Sequence, residues 1–419
     1  MRARASGRGR VVESHRIARS AFASALAFAA LAVAWSVRDD SRFGNDPWLK
    51  HDVQYCGDSN TASSPAGEGS ASACGAAFGH NATEDWFIWL TEGARMLRTS
   101  LCDLLGIDHP IIQAGMGPFG SGAELAAAVS NAGAIGTLGG AARPVEGLRQ
   151  QLVALGELTD RPFIVNFTQP WLQQNPEAFD VALEAGPRVI SLALGDPGEL
   201  VNRAHDAGVL FVQQVHTVGQ ANLATERGVD VVVAQGTEAG GFTGTVAMAA
   251  LVPQVVDAIS PIPVVAAGGI ADGRGLAAAL ALGAQGVNVG TRFLASVEAS
   301  VAEPWKKAIV AAKSEDAVKV AVWDDIFPKP GGAAFDVVPR ALLTPFVEKW
   351  QHRPVEAAKE AEQIQGEIWA GIQTERMEEF VPFTGQTAGL IDDILPAAEI
   401  VLRMIREADE SLQRVRDLT

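Results

Sequence analysis

No lysine occurs between Lys50 and Lys306. A Schiff-base aldolase needs a lysine amine on a strand of its catalytic core, so that chemistry is excluded from the best-patterned part of the chain. Positive charge is scarce overall. With 33 Lys and Arg against 49 Asp and Glu, the net charge is −16, the opposite of the basic footprint that nucleic acid requires. The three cysteines, Cys56, Cys74 and Cys102, form no CxxC pair. They supply neither a zinc site nor a disulfide framework, which fits a reducing, cytoplasmic location. Acidic clusters that could ligate a hard metal are missing from the ends of the strand-like runs, so no metal is expected.

What is present is apolar: 48% of 419 residues, enough for one large core or two domains. The first 95 residues stand apart. Residues 2–19 are Arg-rich, 20–37 are uncharged and Ala-rich, and 39–81 are Gly/Ser/Asn/Asp-rich without periodicity. Two readings compete for 1–95: an upstream extension without function, with Met96 as the natural start, or a targeting segment anchored in a membrane through 20–37.

From residue 110 the pattern is regular. Apolar runs at 111–114, 134–138, 163–167, 188–194, 210–215, 229–234, 263–267 and 286–289 alternate with Ala- and Leu-rich helical stretches. Ser121-x-x-Glu124 reads as a capping box that starts the first helix, and Pro144 suits the start of the second. Gly133, Gly208, Gly228 and Gly283 read as helix stops. Near-continuous apolar strands between helices indicate a parallel sheet covered on both sides. Eight such units predict an α/β fold, a (β/α)8 TIM barrel over 96–299, with a doubly wound sheet as the alternative. Residues 300–419 read as a helical C-terminal subdomain, with helices over 301–313, 354–380 and 390–412 and a Pro/Gly loop over 323–332. Its aromatics Trp323, Phe335, Phe346, Trp350 and Trp369 read as core residues.

Three glycine-rich patches follow the last three strands: Gln235-Gly-Thr-Glu-Ala-Gly-Gly-Phe-Thr-Gly244, Ala266-Ala-Gly-Gly-Ile-Ala-Asp-Gly273 and Asn288-Val-Gly-Thr-Arg-Phe293. Glycine lets backbone approach a ligand closely, and N–H groups at a helix start bind anions. Barrel enzymes commonly hold phosphate in the loops after strands seven and eight. Here those loops carry Gly268-Gly269 and Gly290-Thr291, so a phosphate-bearing ligand is expected, although tight turns alone would also use such glycines.

These patches, together with Pro110-Ile-Ile-Gln-Ala-Gly-Met-Gly117, Asn131-Ala-Gly-Ala-Ile-Gly136 and Phe163-Ile-Val-Asn-Phe167, resemble the nitronate monooxygenases. That family of FMN-dependent barrels also includes quinone reductases and flavin-type enoyl-acyl-carrier-protein reductases. The resemblance implies FMN. It places Gln113, Ala114, Gly115 and Met116 beside the flavin, Asn166 at its ring, Gln235, Gly240 and Gly241 in the loop after the sixth strand, and Gly268, Gly269, Asn288, Val289, Gly290 and Thr291 at its phosphate. The alternative for Asn166 is a turn-forming Asn at a strand end.

The sequence departs from the family where base chemistry is expected. Ala193 stands in Val189-Ile-Ser-Leu-Ala-Leu-Gly195 where the family has a catalytic His, and Phe242 replaces a second His. Histidine is the natural base near neutral pH. His216, directly after the fifth strand, and Glu238 are the remaining catalytic candidates, each also readable as structural; His205 reads as structural. The expected function is an FMN-dependent oxidoreductase acting on alkyl nitronates with O2. The alternatives are an NAD(P)H-dependent reductase of quinones or enoyl thioesters, and a phosphate-ligand-binding barrel without redox activity. Physiological substrate, reductant and oligomeric state are not legible.

Overall fold

The computed structural model describes residues 97–327, 336–374 and 376–418. The expectations for 1–95, including the anchor at 20–37, lie outside these residues, as does Phe335. Among the described residues no helix is long and apolar enough to cross a membrane.

All eight expected strands form: β1 Ile111–Gln113, β2 Gly136–Gly139, β3 Phe163–Thr168, β4 Val189–Ala193, β5 Leu210–Val215, β6 Val231–Gln235, and, after a short β7 Gly241–Thr243, β8 Val264–Ala267 and β9 Gly286–Val289. They pair in parallel in the order β1-β9-β8-β6-β5-β4-β3-β2. Hydrogen bonds from Gln113 N to Ile135 O (3.0 Å) and from Ile135 N to Ile111 O (3.1 Å) bring the two ends of the sheet together. The sheet is therefore a TIM barrel and not an open doubly wound sheet. β6 and β8 are buried along their whole length, which explains their unbroken apolar sequence.

Helices cover the barrel: α1 Ala123–Asn131, α2 Val145–Leu158, α3 Glu177–Glu184, α4 Leu200–Asp206, α5 Val218–Glu226, α6 Met248–Ile259 and α7 Gly273–Ala281. Gly133, Gly208, Gly228 and Gly283 take positive φ of 86°, 73°, 84° and 93°, the left-handed stop expected at helix ends. The capping box does not form. α1 is capped by Gly122 without a side-chain bond, because Ser121 is drawn inward: its hydroxyl accepts from Met116 N (2.8 Å) and donates to Ala114 O (3.2 Å). Ahead of β1, helix Ser100–Leu105 plugs the N-terminal end of the barrel. Leu101, Cys102 and Leu105 pack there against Ile112, Ile164, Val189, Val212, Val231 and Val265.

The segment after 300 is helical with a β addition. β10 Ala317–Lys319 and β11 Val338–Leu342 pair antiparallel, and β11 also pairs with β7. Main-chain pairing thus joins the C-terminal segment to the loop after β6. The expected loop at 323–332 begins as a helical turn, Trp323–Ile326. The expected helix over 354–380 is two, Pro354–Lys359 and Ala361–Gln373. The last helix, α8 Ala397–Arg416, buries Ile400, Val401, Met404, Ile405 and Ala408 at helical spacing. It packs against α7 and α1, the last and first helices between barrel strands, and so completes the ring. Gly273 makes this possible, since a Cβ there would lie 2.2 Å from Ala408 N.

Candidate active site

Polar residues gather at the C-terminal end of the strands. Gly115, Thr137, Asn166, Ser191, Gln214 and Asn288 line a cavity of about 20 Å³ whose floor is Ile112, Ile164, Val212 and Val233. Asn166 donates from Nδ2 to Ser191 Oγ (2.8 Å) and lies directly over Gly115, where a Cβ would fall 2.3 Å from its amide. Asn288 Oδ1 is buried without a partner among the described residues. A buried acceptor of this kind costs stability unless something donates to it.

Gln113 is fully buried, and its side chain faces the protein. Its Oε1 accepts from Thr137 N (2.8 Å), and its Nε2 donates to Ser121 Oγ (3.1 Å) and to Ala114 O. It ties β1 to β2. The run 113–116 therefore presents main chain and Gly115 to the cavity, not the Gln113 amide. Arg143, buried after β2, does similar work unforeseen in the sequence, donating to Gly139 O (3.1 Å) and Pro118 O (3.4 Å). Burial pushes its pKa down to about 10.

The phosphate-type loops stand side by side because β8 and β9 pair. Gly268 and Gly269 have φ of 90° and 73°, a conformation that strains any other residue. Thr291 begins the helical turn Thr291–Leu294 just after Gly290. Among the described residues no carbonyl or side chain accepts from the N–H of Gly269 or Gly290. A strap missed in the sequence crosses this region: Gly385 N donates to Thr291 Oγ1 (2.9 Å) and Gln386 N to Glu238 O (2.9 Å). Gly240 lies beneath it, 2.7 Å from Gly385 N at its Cβ position. The signal was available in Thr384-Gly-Gln-Thr-Ala-Gly389, a fourth small, polar glycine patch lying outside the strand–helix alternation. The unpartnered Asn288 oxygen, the free glycine N–H groups and the Gly115 approach suit a flat, phosphate-bearing group such as FMN.

The two candidate bases are not at the cavity. His216 is 2% exposed. Its Nε2 lies 2.8 Å from Gln235 Oε1, which also accepts from Gln214 Nε2 (3.2 Å). Burial lowers its pKa despite opposing hydrogen bonds from Gln235, Gln220 and the Phe242 backbone. Burial favours the uncharged imidazole, which is linked to the cavity through the Gln235 and Gln214 amides. Glu238 caps α6: both carboxylate oxygens accept from Met248 N at 3.0 Å. His205 pairs with Asp230 (2.8 Å) at the surface, as its structural reading implies. Ala193 ends β4. Phe242, on β7, enters an aromatic group with Trp323 and Phe383. Two cations sit in the small sheet beneath it. Lys319 Nζ donates to Thr243 O (2.8 Å), Gly244 O (2.9 Å) and Val338 O (3.2 Å), and burial pushes its pKa down to about 8. Arg340 donates to Thr237 O (3.0 Å), and its pKa too is lowered by burial.

Residues 98–407 match the nitronate monooxygenase family. The chain belongs to that family. Nitronate monooxygenase of Paraburkholderia phytofirmans is 30% identical over 76% of this chain and 97% of its own length. A (3aS,4S,5R,7aS)-5-hydroxy-7a-methyl-1-oxo-octahydro-1H-indene-4-carboxyl-CoA dehydrogenase of Rhodococcus jostii is 41% identical over 52% of this chain. The match spans 62% of that relative's length. FabK from Thermotoga maritima has a similar structure, with a TM-score of 0.69 and 36% identity over 77% of this chain and 99% of that one. The family is one of oxidoreductases and is generally flavin-dependent.

Proposed function

We propose that the protein is an FMN-dependent oxidoreductase that oxidises alkyl nitronates with O2. The observation that carries this reading is the convergence, at one end of the barrel, of the 268–269 and 290–291 loops with the polar ring of Asn166, Ser191, Gln214 and Asn288. Gly269, Gly290 and Thr291 would hold the FMN phosphate, and Gly115 and Asn166 would meet its ring system, as would Asn288, which was expected at the phosphate but lines the cavity with Asn166. Bound FMN supplies the electron transfer between nitronate and O2. The residues of the chain bind and orient. Asn166, fixed by Ser191, presents its amide along a set direction, and the apolar floor of Ile112, Ile164, Val212 and Val233 excludes water from below.

Among the described residues, no imidazole or carboxylate lines the cavity. Ala193 and Phe242 carry no proton acceptor, Glu238 serves a helix, and His216 Nε2 is held against the Gln235 amide. A nitronate arrives already deprotonated, so the proposed reaction needs no base, whereas a neutral nitroalkane would. Oxygen uptake should follow addition of a pre-formed nitronate and be far slower with the parent nitroalkane. A yellow holoenzyme that consumes no O2 with any nitronate would refute the reading.

The missing imidazoles also favour a second reading, NAD(P)H-dependent reduction of a quinone or enoyl thioester, to which the carboxyl-CoA dehydrogenase relative adds weight. Stopped-flow mixing with NADH or NADPH without oxygen separates the two. Rapid bleaching of the flavin supports the reductase and counts against a nitronate-only enzyme.

A further inference from the structure

Five aromatic rings from four segments meet beside the loop after β6. Phe242 stands edge-on to Trp323 and Phe383, with centroids 6.0 and 5.7 Å away. Trp323 lies 5.7 Å from Phe383 and stacks on Phe327 at 4.5 Å, and Trp369 meets the edge of Phe327 at 6.4 Å. Aromatic residues in the core of this protein are closed off: Trp171 and Trp350 are 0% and 2% exposed. The five rings, by contrast, are only half-buried, so they form a surface as well as a packing cluster. Their place is specific. Phe242 follows Gly240 and Gly241, and Phe383 precedes the Thr384–Gly385 main chain that lies on Gly240 and bonds Thr291. Through Phe242 and Phe383 the rings therefore adjoin the main chain that crosses Gly240 and bonds Thr291.

Aromatic groups of this kind attract either cations or flat apolar bodies. The local charge decides between them. Lys319 and Arg340 occupy the sheet that carries Phe242, and their hydrogen bonds go to main-chain carbonyls and a Thr243 hydroxyl, not to a carboxylate. Arg340 is buried and Lys319 half-buried. Partly offset by Glu238, which acts on Arg340, these positive charges disfavour a cationic guest and leave the flat apolar body. Where the family has an imidazole, Phe242 presents no hydrogen-bonding group.

We infer that Phe242, Trp323 and Phe383 form a specificity wall that selects an anionic substrate whose non-reacting part is a flat apolar ring, not a short alkyl chain. The inference rests on the nitronate reading for the reacting group and on the rings alone for the rest of the substrate.

The test compares holoenzyme on two primary nitronates, those of 1-nitro-2-phenylethane and nitroethane. The phenyl compound should be favoured in kcat/KM by about tenfold or more, mainly through KM, the size expected from one well-placed aromatic contact. Phe242→Ala and Phe383→Leu should each lower that ratio severalfold, with flavin stoichiometry and melting temperature showing that the variants are folded. If Phe242→Ala does not fold, Phe242→His takes its place. A ratio near one in the wild type, or one that survives both substitutions, overturns the inference and leaves the rings as packing. A turnover-free arm separates this result from the nitronate reading: holoenzyme is titrated with 3-phenylpropionate and with propionate, followed by the flavin absorbance shift. If neither nitronate is oxidised but 3-phenylpropionate binds about tenfold tighter than propionate, and Phe242→Ala abolishes the difference, the nitronate reading fails and the wall stands. Equal binding of the two acids overturns the wall.

Discussion

Gly115→Ala concentrates the site argument into one methyl group. A Cβ at Gly115 would lie 2.3 Å from Asn166 Cγ and Oδ1 and 2.5 Å from Asn166 Cβ. Rotating the amide cannot relieve a contact that includes Cβ, so either the 114–116 main chain or the end of β3 must shift. Overpacking of this kind costs roughly 1–3 kcal/mol. Loss of the Asn166–Ser191 hydrogen bond at 2.8 Å adds about 1 kcal/mol. Urea unfolding of the flavin-free protein should therefore show a loss of roughly 2–4 kcal/mol. The FMN dissociation constant should rise by about tenfold or more, since a positioned amide contact is displaced. Asn166→Gly provides the control, because it removes these three nearest atoms. In that background Gly115→Ala should cost far less, giving a coupling of at least about 1 kcal/mol. Two results would refute the reasoning: an equal cost in both backgrounds, or wild-type FMN affinity in a normally folded Gly115→Ala protein.

Three further outcomes follow from the geometry. Gly269→Val forces a β-branched residue into φ 73° and should yield folded protein without FMN; stoichiometric flavin after gel filtration would contradict the phosphate assignment. His216 titrates below its unfolded value because burial disfavours its charge. On acidification the unfolded chain therefore takes up the proton first, so stability is complete above about pH 6.5 and declines below it. His216→Gln should flatten that acid limb in urea titrations between pH 7 and pH 5, and an unchanged slope would show that the imidazole is not the titrating group. Glu238→Ala removes the cap on α6 and should cost about 1 kcal/mol of stability while turnover per bound flavin persists; a collapse of turnover at full flavin loading would restore Glu238 as a base.

Much of the molecule was legible because barrel strands announce themselves locally. β6 and β8 are buried on both faces, so their runs are unbroken, and the glycines that stop α1, α4, α5 and α7 do so through their own φ preference. The phosphate-type loops were legible for the same reason: positive φ at Gly268 and Gly269 is a property of single residues. Ser121 misled because a capping box and a buried hydroxyl look alike until β1 is folded against the chain beside it. The side-chain bonding of Gln113 was not legible because its partner Thr137 lies on another strand. His216 looked catalytic from its place after β5, yet which neighbour an imidazole meets depends on Gln235 of β6.

The sequence by itself determined the strand–helix alternation, the glycine loops at the ends of the last strands, and the absence of the family's imidazoles at 193 and 242. These are facts of local chain preference and residue identity. Only the tertiary structure decided that α8 closes the helical ring, that β7 is completed by strands about a hundred residues later, and that Thr384–Gly385 crosses Gly240 to reach Thr291. Each joins segments far apart in the chain, through main-chain pairing and close packing that carry almost no local signature. The lysine missing from the barrel strands is supplied to the site's border from outside them: Lys319, on β10, reaches the carbonyls of Thr243 and Gly244 only because the C-terminal sheet folds back onto the loop after β6.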